Sequence, residues 1–187
     1  SCVGDERAYS HIQSPYSNTL ADMAISAALS HKEDVCVYSF LERGSDERQY
    51  CSPGIELPLC TFCRSKFGAY PEYHTSADDF SVVTEKGLNG AFDVIKDIID
   101  AFETCLYPSL VTPCEPQLGK RGLYPNVSQK NNQRHPATTR MDILSYCNGG
   151  NSVFQISKFT GLKLSDVVSE LQVLLKSGLV TQSSQNK

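Results

Sequence analysis

A proline- and glycine-rich segment, residues 106–136, divides this 187-residue chain into two parts with different sequence patterns. Proline fixes φ and has no backbone N–H, so long regular elements do not run through several of them. We therefore predict an α/β domain over residues 1–105, an irregular linker over residues 106–136 and a small helical domain over residues 137–187. The linker residues are Pro108, Pro113, Pro116, Pro125, Pro136, Gly119, Gly122 and the polar run 128–134.

The charge of the chain is unevenly distributed between these parts. Residues 1–105 carry 17 acidic side chains against 8 basic ones, a net charge of −9, whereas residues 106–187 carry 4 against 9, a net charge of +5. An acidic surface suits cation binding and repels nucleic acid. The first part is therefore expected to bind a cation and not to bind nucleic acid.

Strand-like and helix-like runs alternate over residues 1–105, which is typical of an α/β sheet flanked by helices. Ligands of open α/β sheets bind outside the carboxyl ends of the strands. Asp5, the loop 44–48 and His74 all follow strand-like runs, so they are expected to converge there. The predicted elements are a strand end at residues 1–4, an irregular stretch at 11–15, helices at 20–30 and 88–103, and strands at 35–40 and 55–62. One face of the last helix carries Leu88, Phe92, Ile95, Ile98, Ile99 and Phe102.

Residues 137–187 show the pattern of three short helices and a final extended segment. Thr139 and Asp142 have the spacing of a capping box that would begin the first helix. Glycines close the turns, and the third helix is strongly amphipathic. Three helices with tight turns and a terminal strand predict a winged helix.

The third of these helices does not resemble a DNA-reading helix. Such a helix brings Arg, Lys and Asn to base edges and phosphates. Here the exposed side has a slight acidic excess, so we expect the unit to pack, to form a homo-oligomer or to dock a protein partner. The exposed residues are Asp166, Ser169, Glu170, Gln172 and Lys176.

Residues 70–79 form a short aromatic and acidic stretch around one of four histidines in the chain, His74. Pro71 restricts its own backbone and that of Tyr70, so the segment is held extended. A histidine followed within five residues by Asp78 and Asp79 is a plausible metal ligand with orienting carboxylates. The alternative is a surface histidine in a turn.

The eight cysteines suggest buried, reduced thiols rather than a disulfide framework, because several lie in apolar surroundings. Cys60 and Cys63 form a CxxC pair. A structural zinc site usually needs a second close pair, which the sequence lacks at good spacing. We therefore do not expect a cysteine zinc site.

Three stretches resemble one known family: residues 2–5 (CVGD), 44–54 (GSDERQYCSPG) and 70–79 (YPEYHTSADD). In this order they are similar to the C-terminal part of bacterial aminopeptidase-like proteins that have the fold of zinc aminopeptidases with two metals and end in a winged helix. Residues 119–125 (GKRGLYP) are similar to the segment that leads to that tail.

The resemblance implies a role for each matching residue. Asp5 would be a ligand of one metal and His74 a ligand of the other. Asp46, Glu47 and Arg48 would lie beside the site, where they orient ligands or contact substrate, and Tyr73 would flank the substrate. The implied reaction is zinc-dependent hydrolysis of an N-terminal peptide or amide bond.

The other ligands of the family and its general-base glutamate would precede Asp5, so the resemblance implies that no catalytic base lies in residues 1–187. Residues 1–4 resemble the middle of a strand, and we expect the sequence to be part of a longer protein. One ligand for each of two metals is fewer than the three or four that zinc needs. We expect this chain alone to bind zinc weakly and to be inactive on peptides.

Two alternatives remain open. One is a non-catalytic interaction or scaffold protein on the same fold, and the other is a winged-helix DNA-binding regulator with an α/β sensing domain. No apolar run approaches the roughly 18 residues of a membrane span, and we expect a cytoplasmic protein without a membrane partner.

Overall fold

The computed structural model describes residues 2–124 and 136–183. The chain divides into two compact units, Ser1–Ile98 and Ile99–Lys187, and one long helix crosses the boundary between them. Within the described ranges, none of the helices combines the length and the apolar character that a membrane span requires.

The first unit contains a three-stranded mixed sheet. Its strands are β1 (Tyr9–Ile12), β2 (Val35–Tyr38) and β3 (Thr61–Cys63), in the order β2-β1-β3. β1 is parallel to β2 and antiparallel to β3, and His11 in the central strand lies opposite Val37 on one side and Phe62 on the other. The prediction of a mixed α/β fold is confirmed, whereas the larger aminopeptidase-type sheet stays a prediction.

Helix α1 (Leu20–Leu29) provides the crossover between the two parallel strands, and it contacts β1. A capping box begins it, because the Thr19 side chain accepts from the backbone N–H of Asp22 while the Asp22 carboxylate accepts from the backbone N–H of Thr19. The helix prediction over residues 20–30 is confirmed. Its buried apolar residues are Ala24, Ile25, Ala27, Ala28 and Leu29.

Helix α3 (Glu85–Thr104) approaches the rest of the first unit through small residues. Gly87, Ala91 and Val94 are buried, and the Arg64 guanidinium donates to the carbonyl oxygens of Ala8 and Gly87. The apolar face predicted from the sequence is instead largely exposed. We call Leu88, Phe92 and Ile95, which lie in the first unit, the apolar stripe of α3, and each of them is more than two-fifths exposed.

Three predictions for the first unit were wrong in detail. Residues 2–4 do not form a strand, because Cys2 has φ of +55°, which extended strands do not adopt. The predicted strand over residues 55–62 is reduced to β3, since Glu56 has φ of +56° and Pro58 cannot donate to a ladder. The stretch predicted as irregular from His11 to Pro15 begins inside β1.

Two short helices follow β2: a 3₁₀ helix (Phe40–Glu42) and the single-turn helix α2 (Glu47–Tyr50). The strand predicted over residues 35–40 is confirmed in the shorter form of β2. The charged loop after β2 is partly helical, because α2 begins within it at Glu47 and Asp46 is the N-cap residue. These helices place Glu47 on the buried side and leave Asp46 and Arg48 exposed.

The second unit has the three helices and the terminal strand predicted from the sequence. The helices are α4 (Pro136–Ser145), α5 (Val153–Thr160) and α6 (Leu164–Lys176), and β5 (Val180–Gln182) follows them. Gly161 closes α5 in the left-handed conformation, with φ of +67°. The buried face of α6 consists of Leu164, Val167, Val168, Leu171 and Leu174.

The segment predicted as an irregular linker contains β4 (Pro108–Leu110), which pairs antiparallel with β5, and a 3₁₀ helix (Leu118–Arg121). Pro108 is tolerated because it is the first residue of a short strand. Helix α4 begins at Pro136, a favoured first helical residue, so Thr139 and Asp142 do not cap it as predicted. The polar run 128–134 lies outside the described residues.

Candidate functional site

Asp5 is buried and held in one orientation by three hydrogen bonds. Its Oδ2 accepts from the Ser65 backbone N–H at 2.8 Å, and its Oδ1 accepts from the Ser65 hydroxyl at 2.7 Å and from the Arg7 N–H at 3.0 Å. Each carboxylate oxygen accepts at about two positions. Oδ2 therefore keeps one position at which it can bind a cation.

Arg7 connects the Asp5 segment to the stretch of residues 70–79. Its guanidinium donates to both carboxylate oxygens of Glu72 at 2.9 Å, in the paired geometry that is specific to arginine. The hydrogen bond from Arg7 lowers the pKa of Glu72. The Arg7–Glu72 ion pair thus joins the segment around Asp5 to the stretch of residues 70–79. Glu72 was not predicted as a site residue.

A surface cavity of about 300 Å³ lies beside Asp5. Tyr73 and Asp78 from the stretch of residues 70–79 line it together with Leu88 at the start of the apolar stripe of α3. The structure therefore places Asp5 and Tyr73 at one cavity, whereas the convergence predicted from the sequence was of Asp5, the loop 44–48 and His74.

His74 is exposed and does not belong to the lining of that cavity among the described residues. Its ring stacks on the Tyr73 ring, with 4.0 Å between centroids and 17° between planes, and its backbone is left-handed with φ of +59°. Asp46, Glu47 and Arg48 lie on or next to α2 and, in the described part of the chain, do not line the cavity either. The roles of these residues stay predictions.

A second polar cluster, which sequence reasoning missed, lies around Asp22. His11 Nε2 is 3.1 Å from Asp22 Oδ1, and both residues are almost completely buried. The Asp22 carboxylate also accepts from the backbone N–H and hydroxyl groups of Ser14 and Thr19. The available signal was the spacing of Thr19 and Asp22, which is that of a capping box with Asp at its third position.

The ionisation of this cluster follows from its burial. Burial lowers the pKa of His11 below its ordinary value, although the Asp22 charge and hydrogen bond oppose the shift. Burial alone would raise the pKa of Asp22, but the hydrogen bonds from Ser14 and Thr19 together lower it. The folded cluster therefore holds a neutral imidazole next to an ionised carboxylate.

His11 makes the stability of the metal-free protein depend on pH. Because the unfolded chain takes up a proton near pH 6.5 and the folded chain does so only at lower pH, stability falls as the pH drops below about 6.5. One such group contributes a slope of at most about 1.4 kcal/mol per pH unit. Urea denaturation at pH 5 to 8 with a chelator present measures it.

Replacing His11 by Gln should flatten that pH dependence, whereas replacing the exposed His31 by Gln should leave it unchanged. A wild-type protein that becomes more stable on acidification from pH 7 to 5, with the increase lost in His11→Gln, would contradict the neutral state of His11.

All eight cysteines are free thiols, which agrees with the expectation of reduced cysteines. Cys51, Cys63, Cys105 and Cys147 are buried, and Cys114 is exposed. Burial raises the pKa of Cys63 and of Cys147 to about 12. Cys60, which is half-buried, approaches the Asp22 cluster: ligand atoms of His11, Asp22 and Cys60 all lie within 4.8 Å of one another.

Two family models match the chain. Residues 1–105, more than half of it, match a family described as a domain of unknown function, DUF4910. Residues 106–182 match a winged helix-turn-helix family. The chain belongs to the DUF4910 family, and a winged-helix domain follows residues 1–105, which match that family.

Proteins similar to this chain carry names of the peptidase class. The chain is 32% identical over 164 residues to a Clostridium acetobutylicum protein named for polysaccharide biosynthesis and an aminopeptidase-like domain. The match covers 87% of this chain and 38% of that protein. A crystal structure named as a peptidase from the same species matches with a TM-score of 0.79 at 27% identity, over 97% of this chain and 40% of that one. The chain thus spans about two fifths of the length of both.

Proposed function

We propose that residues 1–105 form part of the catalytic domain of a zinc-dependent aminopeptidase-like hydrolase that acts on N-terminal peptide or amide bonds. The observation that carries the proposal is the fixed carboxylate of Asp5 beside a cavity that Tyr73 also lines. The similarity to a protein with an aminopeptidase-like domain supports it.

The donor types of Asp5 and His74 suit zinc. Zinc in proteins takes carboxylate oxygen and imidazole nitrogen ligands. Asp5 Oδ2 has a position available, and the exposed His74 ring is held by stacking on Tyr73. By the resemblance of their motifs, Asp5 would hold one metal and His74 the other.

The residues of this chain would prepare the site rather than perform the chemistry alone. Zinc, when bound, would polarise the carbonyl of the scissile bond. Ser65 and the Arg7 N–H fix the Asp5 carboxylate, so its orientation needs little reorganisation on ligand binding. Tyr73 offers an aromatic face on which an apolar substrate side chain could pack.

The apolar stripe of α3 supports the view that these residues belong to a larger domain. Exposed contiguous apolar surface on a soluble protein commonly marks a contact region. Proteins similar to this chain are more than twice as long, so they have additional chain with which to cover the equivalent surface. We therefore propose that the complete catalytic domain buries the stripe.

Nucleic-acid binding is not part of the proposal. Arg140 in α4 donates to the Glu170 carboxylate at 2.6 Å and to the Leu123 carbonyl oxygen at 2.6 Å, so it is engaged within the second unit. The exposed charged residues of α6 are Asp166 and Lys176, which balance, whereas Glu170 is partly buried in its ion pair with Arg140, so the predicted acidic excess is wrong and the surface also lacks the basic excess of a nucleic-acid reader. A protein partner or a second copy fits that surface better than a phosphate backbone does.

The proposal predicts different behaviour for the chain alone and for a complete domain. Residues 1–187 alone should bind zinc weakly at Asp5 and His74 and should not hydrolyse an aminoacyl chromogenic substrate, because one ligand for each catalytic metal is too few. A chimera in which these residues replace the matching part of the Clostridium acetobutylicum relative should hydrolyse it. In that chimera Asp5→Asn should lower kcat/KM by at least about 100-fold, since a lost ligand weakens transition-state stabilisation by several kcal/mol.

The matched control is Asp34→Asn, an exposed aspartate in the same unit, which should leave kcat/KM of the chimera unchanged. Tight zinc binding with turnover by residues 1–187 alone would refute the incomplete site. A chimera whose activity survives Asp5→Asn would refute the assignment of Asp5 as a ligand.

A further inference from the structure

The cluster of His11, Asp22 and Cys60 combines the three kinds of atom that zinc prefers. His11 comes from β1, Asp22 from the first turn of α1, and Cys60 from the residue before β3. One imidazole nitrogen, one carboxylate oxygen and one sulfur lie within 4.8 Å of one another. Ligand atoms of a tetrahedral zinc lie on the order of 3–4 Å apart, given bond lengths of about 2.0–2.3 Å. Small movements of the side chains would therefore bring all three to one ion.

The buried charges near the cluster favour a cation. Asp22 is ionised and almost fully buried, and Glu47 is also buried. Glu47 Oε2 has no hydrogen-bond partner among the described residues. A buried carboxylate oxygen without a partner is costly, and buried charges are usually paired or coordinate a metal. The negative charges of Asp22 and Glu47 both act on the Cys60 thiol, so they belong to one local environment.

The same three residue types could instead suggest a cysteine nucleophile with a histidine base. Such a nucleophile needs a thiol with a lowered pKa. Burial, followed by the Asp22 charge, raises the pKa of Cys60 to about 12. The free thiol is therefore protonated and unreactive, and a nucleophilic role does not fit.

We propose that His11, Asp22 and Cys60 form a zinc-binding site inside the first unit, separate from the Asp5 cavity, in which the Asp22 carboxylate and the Cys60 thiolate balance the two charges of the ion. On binding, the Asp22 oxygen and the His11 nitrogen exchange their mutual hydrogen bond for bonds to the metal. The imidazole stays neutral, because its proton moves to the other ring nitrogen, and the Cys60 proton goes to solvent. Asp22 keeps its hydrogen bonds from Ser14 and Thr19, which orient it as supporting groups orient other metal ligands.

The site would have a structural role. It joins β1, the first turn of α1 and the segment before β3, which are distant in sequence. A metal bound by the folded state alone raises stability in proportion to the logarithm of its free concentration. Zinc at 100 times its Kd should therefore shift the urea midpoint of the chain upward.

Cobalt(II) titration of the chelator-stripped full chain tests the proposal, because a cobalt–thiolate bond gives a charge-transfer absorption band in the near ultraviolet. We expect the wild type to bind one cobalt with this band and zinc to displace it. Cys60→Ser should abolish the band, and the exposed Cys114→Ser should retain it. Asp5→Asn and His74→Ala should also retain it, which separates this site from the proposed catalytic site at Asp5 and His74.

A measurement that needs no substitution complements the titration. Mass spectrometry of the alkylated wild type, partly unfolded in urea, should show that zinc slows modification of Cys60 at least tenfold and leaves Cys114 unaffected. A wild type without a cobalt–thiolate band, a band that survives Cys60→Ser, or alkylation of Cys60 that is indifferent to zinc would each overturn the proposal.

Discussion

Gly87→Ala is expected to lower the free energy of unfolding by at least about 2 kcal/mol, because a new Cβ would overlap backbone atoms of the Gly4–Asp5 segment. A Cβ at this position would lie 1.9 Å from the Gly4 carbonyl oxygen and 2.7 Å from the Asp5 carbonyl oxygen. Both are backbone atoms that cannot rotate away. Alanine has a helix propensity that is about 1 kcal/mol more favourable than that of glycine. We expect the cost of the steric overlap to exceed this gain.

Urea denaturation followed by circular dichroism measures the effect of Gly87→Ala. The control is Gly119→Ala, for which the nearest atom to a new Cβ is 3.7 Å away on Tyr124, and it should change stability by less than about 0.5 kcal/mol. Equal midpoints for Gly87→Ala and the wild type would show that α3 does not approach the Asp5 segment as closely as described. The overlap also involves Asp5 itself, so the variant should impair the proposed catalytic site.

Asp22→Ala is expected to lower the free energy of unfolding by about 2–4 kcal/mol, because each buried neutral donor that loses its acceptor costs about 1–3 kcal/mol. The variant deprives His11 Nε2, the Ser14 N–H and the Thr19 N–H of their acceptor. It also removes half of the capping box of α1. The loss of these hydrogen bonds and the loss of the helix cap each destabilise the fold by about 1 kcal/mol or more.

Asp166→Ala is the matched control, since Asp166 is also an aspartate in the first turn of a helix but is exposed. Its loss should cost no more than about 1 kcal/mol, the usual interaction of an acidic side chain with a helix N-terminus. Measurement in the presence of a chelator removes any contribution of bound metal. If the two aspartate variants destabilise the chain equally, the Asp22 cluster contributes no more than an ordinary helix start.

The helices were predictable where their signals are local. Helix α1 begins at a Thr19–Asp22 capping box, α5 ends at Gly161, and α6 repeats its apolar residues at helical spacing. Each of these signals lies within a few residues of the element it defines. The winged-helix prediction followed from the signals of the helices in the second unit, and the family match confirms it.

The strands were less predictable, because strand formation depends on partners elsewhere in the chain. β1 reads Tyr-Ser-His-Ile, with polar residues at two positions, yet it is the central strand because β2 and β3 pair with both of its edges. β4 begins with a proline and exists through its pairing with β5, more than 60 residues later. No sequence pattern within β1 or β4 predicts which strands they pair with.

The two candidate sites show the same difference. Asp5, Tyr73 and His74 were predicted as site residues through the resemblance of their short motifs to a family, and the structure places Asp5 and Tyr73, but not His74, in the lining of one cavity. The cluster of His11, Asp22 and Cys60 could not be found in that way, because its members are spread over 50 residues and meet only through the register of β1 with β3. The prediction that the cysteines bind no zinc relied on cysteine spacing alone and did not consider this mixed set of ligands.

The distribution of the cysteines makes the chain convenient for spectroscopic labelling. Cys114 is exposed, whereas burial raises the pKa of Cys63 and Cys147 to about 12 and that of Cys105 to about 11. A maleimide reacts with the thiolate form of cysteine. At neutral pH these three side chains react slowly, because they are buried and because their thiols are protonated. A fluorophore should therefore react fastest with Cys114 in the second unit, and a single label requires substitution of the partly exposed Cys2, Cys36 and Cys60.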